Sequence, residues 1–138
     1  MSYQEALEAA GATVEHIEYF GSYQGDWLAV VTYKGVRGII HSWYGSCTGC
    51  DAFQAEFGYN YGSCDEHYGD LDPKCRECRR VKTSYDKRLR AMGKRLLDGM
   101  LTSAEIEALR LRFVEQGEWD YDANATVRWI ETYMPEEA

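Results

Sequence analysis

Between residues 75 and 96 the apolar positions Cys75, Cys78, Val81, Tyr85, Leu89, Met92 and Leu96 fall three or four apart, the spacing that lays one buried stripe along a helix. A long helix reaching about Leu97 follows, with Pro73 suited to its first turn. The other helices are announced by their ends. Ser2 and Glu5 have capping-box spacing and Gly11 supplies a stop, which predicts a first helix over 3–10. Asp51 is placed to cap a short helix over 52–57, where Phe53 and Phe57 lie four apart before Gly58. Thr102 and Glu105 form a second capping box for a helix ending at Gly117, and Asp122 is the expected cap of a last helix that Pro135 terminates.

From residue 13 to residue 43 the pattern is different. β-Branched and aromatic residues fill 14–20, 27–33 and 36–43, separated by glycines. Three antiparallel strands are predicted, with Tyr33, Lys34 and Gly35 forming the tight turn between the last two. The fold class is therefore α+β: a small three-stranded antiparallel sheet, a long helix and two further C-terminal helices. The 138 residues suit one domain, with helix and sheet in 1–58, a loop over 59–73 and a helical part over 74–138.

Composition sharpens this in two respects. No apolar run approaches the ~18 residues of a membrane span, and residues 1–5 have neither a basic nor an apolar leader character, so a cytoplasmic location is expected. The net charge of −8 is unevenly spread: residues 1–73 carry −9, residues 74–95 carry +8 and residues 96–138 carry −7. A nucleic-acid role must therefore rest on one basic segment rather than on overall charge.

The five cysteines are an odd number, and in a reducing compartment close pairs are more often metal ligands than disulfides. Cys47-x-x-Cys50 follows the third strand in a glycine-containing bend, and Cys75-x-x-Cys78 opens the long helix. A tight turn and a helix's first turn each present two thiolates on one side, and four thiolates close a tetrahedron around Zn2+. The expected ligands of a structural zinc are Cys47, Cys50, Cys75 and Cys78, pinning the long helix to the end of the sheet. Cys64-x-x-His67 lies between the pairs and supplies alternates. Buried, metal-free cysteines and a redox dithiol are the competing readings. His16 and His41 fall within strands and read as ordinary sheet residues.

Other features suggest surfaces. The loop tyrosines Tyr59, Tyr61 and Tyr68 lie outside any strand and are the expected partner-binding residues, since tyrosine offers large contact area with few rotamers to freeze. The basic helix, through Arg79, Arg80, Lys87 and Arg88, offers phosphate contact as an alternative, set against pairing with the acidic flanks. The glycine-rich 21–26 segment lacks a phosphate-loop pattern, and Asp26 has no identifiable catalytic partner in the sequence. A metal-dependent hydrolase or nuclease built on His67 with Asp65 or Asp70 is a further alternative; no catalytic set stands out.

Two segments carry a resemblance. Gly21-Ser22-Tyr23-Gln24-Gly25-Asp26 and Tyr44-Gly45-Ser46-Cys47-Thr48-Gly49-Cys50-Asp51-Ala52 resemble a group of uncharacterised small proteins of tailed bacteriophages. The resemblance implies a phage origin, a bacterial host cytoplasm and a host-interaction role, without implying an activity. The expected function is a zinc-stabilised interaction protein that binds or inhibits a host or phage protein.

Overall fold

In the computed structural model, the residues described are 2–21, 24–45, 51–57, 64, 66–67, 71–117 and 120–134. The first helix, α1 (Tyr3–Ala9), begins where the Ser2 hydroxyl accepts the Glu5 N–H. It ends in a Schellman motif. The Ala12 N–H reaches the Leu7 carbonyl and the Gly11 N–H the Glu8 carbonyl, at 3.0 Å each, with Gly11 at φ 100°.

Strands β1 (Thr13–Tyr19), β2 (Gly25–Tyr33) and β3 (Val36–Tyr44) form an antiparallel sheet in the order β1-β2-β3. Lys34 and Gly35, at φ 51° and 78°, make the two-residue turn that sets Tyr33 opposite Val36. Positive φ at both turn residues matches the strands' right-handed twist. A bulge at Glu15 shifts the β1-β2 register between Val14 and His16.

The middle strand is buried on both faces, from Trp27 through Val31. Trp27, Ala29 and Val31, with Ile40 of β3, face α1, the short α2 (Ala52–Phe57) and the long α3 (Arg76–Asp98). Leu28, Val30 and Ile39 face α4 (Ser103–Gln116) and α5 (Tyr121–Tyr133). The sheet thus lies between two helical layers, and the α+β class with a long helix and two further C-terminal helices stands. Among the described residues no helix is long and apolar enough to cross a membrane.

Two helix starts differ from the expectation. The cap of α5 is Asp120, whose carboxylate accepts the N–H groups of Asp122 and Ala123; Asp122 lies inside the first turn, where its charge meets the helix dipole. Pro73 precedes α3 in a separate turn, because the Asp72 carboxylate takes the Lys74 N–H and the Asp72 carbonyl takes the Cys75 N–H. Helix α3 therefore begins one residue after Cys75, which occupies the cap. The Thr102–Glu105 capping box and the Asp51 cap form as expected. Asp51 is buried and also accepts from the Tyr3 hydroxyl at 2.5 Å and the Gly45 N–H at 2.9 Å, tying the end of β3 to α1 and α2.

Candidate metal centre

Three loop residues and one helical residue converge at the start of α3. Cys64 and His67 form a turn, closed by the His67 N–H on the Cys64 carbonyl at 3.2 Å. Cys75 is the helix cap and Cys78 lies one turn on, its side chain 1% exposed. One ligand atom from each of Cys64, His67, Cys75 and Cys78 lies within 4.8 Å of all the others. Cysteine and histidine side chains so gathered can hold a metal ion.

The separations are close to those an ion would impose. Tetrahedral zinc, with bonds of about 2.3 Å to sulfur and about 2.0 Å to nitrogen, sets its ligands about 3.8 Å apart for sulfur-sulfur and about 3.5 Å for sulfur-nitrogen. Cys64 Sγ and Cys75 Sγ are 3.7 Å apart, and His67 Nδ1 is 3.7 Å from Cys64 Sγ and 3.4 Å from Cys78 Sγ. These sulfurs are free thiols. A disulfide would bring two of them to about 2.05 Å.

The surroundings orient the ligands. The other nitrogen of His67, Nε2, faces Asp72 Oδ2 at 3.7 Å, while Oδ1 is occupied by the Lys74 N–H. A carboxylate behind the imidazole of a metal-binding histidine favours the tautomer that leaves Nδ1 free to ligate. The thiols differ. The Cys78 amide at the open end of α3 draws the metal-free Cys75 thiol down to about 7, whereas burial pushes that of Cys78 up to about 11. One thiol is ready as thiolate near neutral pH, and the other would release its proton to solvent on binding a metal.

Of the expected ligands, Cys75 and Cys78 stand in the cluster; Cys47 and Cys50 lie outside the described residues. Cys64 and His67, held as alternates by spacing, complete the four positions. Tyr59, Tyr61 and Tyr68 also lie outside the described residues, as do Asp65 and Asp70. The residues expected on the basic helix divide. All four are exposed, but Arg88 pairs with Glu56 at 3.2 Å and Arg79 folds back onto the carbonyls of Pro73 and Lys74.

Two pairs escaped the sequence reading. Asp26, for which no partner was legible, bonds His41 at 2.7 Å across the β2-β3 pair. The register set by the Lys34–Gly35 turn places these two diagonally, so the turn was the signal available. His16 Nδ1 accepts the Trp129 indole N–H at 2.9 Å, and the imidazole stacks on Tyr133. Since indole donates only, His16 carries its proton on Nε2 when neutral, a packing role consistent with an ordinary sheet residue. Comparison with protein-family models, with curated proteins and with solved structures finds no match to this chain.

Proposed function

We propose that this chain is a zinc-stabilised interaction protein of phage origin, in which Cys64, His67, Cys75 and Cys78 hold one structural Zn2+. The observation that carries this reading is the ligand geometry: four N/S donors within 4.8 Å, among them the Cys64–Cys75 sulfur-sulfur pair and the His67 nitrogen-sulfur pairs with Cys64 and Cys78 at separations that suit a tetrahedral site. Three sulfurs and one imidazole suit Zn2+ over the harder Mg2+ and Ca2+. The role is structural because four protein ligands fill the coordination sphere, whereas a hydrolytic zinc keeps a position open for water. His67, the centre of the hydrolase alternative, turns Nδ1 toward two sulfurs and Nε2 toward Asp72.

The ion's work would be to fasten the 64–67 turn to the first turn of α3 and so fix where the helix begins. Function then resides in the surfaces held in place, with a partner molecule as the target. Elemental analysis of protein purified without added metal is expected to find one zinc per chain. Cys64→Ser and Cys78→Ser are expected to lose it, while a Cys47→Ser/Cys50→Ser double variant keeps it. Retention by the first two with loss from the third would refute this ligand set.

A further inference from the structure

The basic segment has two fates open to it: neutralisation by the acidic flanks, or an unneutralised surface. All ten of its cationic residues are exposed on α3 or at its start. Among the described residues, the ion pairs made by this segment are Arg88 to Glu56 and Lys82 to Asp86, the latter within the helix. Among the described residues, the one ion pair from this segment to a flank is Arg88 to Glu56.

The remainder is ordered. Cys78, Tyr85, Leu89 and Met92 mark the buried side of α3. Opposite them, Arg76, Arg80, Thr83, Lys87, Arg90 and Lys94 step by four, three, four, three and four residues, all exposed. This ridge spans about 27 Å of helix, at about 1.5 Å per residue. Asp86 lies off it and is engaged by Lys82, while Glu77 and Glu66 sit beside Arg76 at its metal-centre end. Along the ridge, the described residues Arg79, Arg80, Thr83, Ser84 and Lys87 line one open depression that offers cationic and hydroxyl groups.

We infer that this ridge binds the phosphate backbone of a nucleic acid, with the depression at Arg80, Thr83, Ser84 and Lys87 as its central phosphate contact. The chain's overall charge of −8 does not prevent this. The Debye length is about 8–10 Å at physiological salt, so acids farther than that from the ridge are screened while contacts at its surface are not. A row of cations at helical spacing matches a polyanion of regular charge. Arginine and serine or threonine are also common phosphate-contacting groups.

The inference rests on the proposed centre only for the position of the helix start. The test is fluorescence anisotropy of zinc-loaded protein with labelled mixed-sequence 20-mers of single-stranded RNA, single-stranded DNA and duplex DNA. With five cationic contacts, affinity should fall about 100- to 500-fold between about 50 and about 200 mM salt, and the arm that binds best names the nucleic acid. Arg80→Gln/Lys87→Gln/Arg90→Gln should bind at least about 30-fold more weakly with a flatter salt dependence, keeping its circular dichroism and zinc. The charge-preserving Arg80→Lys/Lys87→Arg/Arg90→Lys should retain binding.

No binding by zinc-loaded protein at low salt, or equal binding by the triple-Gln variant, overturns the ridge reading. Competition by poly-glutamate as effective as that by the oligonucleotide also overturns it, assigning the ridge to an acidic protein. Binding by folded protein that carries no zinc upholds the ridge and refutes the centre instead.

Discussion

Gly93 is where α3 and α1 touch backbone to backbone, and substituting alanine there tests how the long helix is seated. A Cβ at this position would lie 1.9 Å from the Ala6 carbonyl oxygen, 2.7 Å from the Ala6 carbonyl carbon and 2.8 Å from Ala10 Cβ. Ordinary contact begins at 3.4 Å, so the helices must part by up to 1.5 Å (3.4 minus 1.9). No rotamer change relieves this, because the closest atoms are main chain and α1 is locked by Ala6 and Leu7, both 0% exposed. So close an approach to main chain falls at the upper end of overpacking costs, about 3 kcal/mol. Alanine returns about 1 kcal/mol of helix propensity, leaving a net loss of about 2 kcal/mol. For a chain of this size that corresponds to a melting temperature lower by about 6–10 °C. Thermal denaturation followed by circular dichroism, at constant zinc, measures it. Ala91→Gly, on the exposed side of the same helix, isolates the propensity term and should cost about 1 kcal/mol. If Gly93→Ala melts at or above the wild type, propensity has won and the close approach of the two helices is refuted.

Two further predictions concern the centre. Metal binding must expel the Cys78 proton at any pH below about 11, and that of Cys75 only below about 7. Chelator competition across a pH series should therefore show affinity falling as pH falls, with the slope gaining one proton from Cys75 as the pH drops through about 7; a slope unchanged there would contradict the assigned thiol order. Asp72→Asn keeps an acceptor for the Lys74 N–H but removes the carboxylate facing His67 Nε2. Zinc affinity should drop about 10- to 100-fold, lowering stability at equal free zinc by about 1.4–2.7 kcal/mol while the metal-free protein melts as the metal-free wild type does, and an affinity equal to wild type would show that the carboxylate does not orient the imidazole.

The elements were legible because each is punctuated by its own chemistry. The Ser2–Glu5 and Thr102–Glu105 boxes, Gly11 in the left-handed region and the Lys34–Gly35 turn act within a few residues, and all form as the sequence implies. The misplacements came where two local signals competed. Pro73 suits a first helical turn, but Asp72 just before it closes a turn of its own with both its carboxylate and its carbonyl, which delays α3 to Arg76. Asp120 and Asp122 both suit a cap, and the one with extended backbone, at φ −128° and ψ 107°, reaches two amides. Neither choice shows in periodicity. It depends on which carboxylate first meets an unpaired N–H.

Which side chains could hold an ion together turns on a quantity that residue softness alone leaves out. Thiolate preference argued for Cys47 and Cys50 over a loop histidine, yet either pair must be brought to the start of α3 by closing a loop. Between Cys50 and Cys75 there are 24 intervening residues, and between His67 and Cys75 there are 7. Closure entropy grows as three-halves RT times the logarithm of loop length, so the nearer pair is favoured by about 1 kcal/mol before any bond to metal forms. Asp72 adds to this bias. Its carbonyl and carboxylate close a turn over 72–75, and the same carboxylate faces the imidazole, so one residue sets the approach to Cys75 and orients His67. A carboxylate just before the helical Cys-x-x-Cys, with Cys64 and His67 a few residues upstream, is therefore the sign in the sequence that these four side chains could share one cluster.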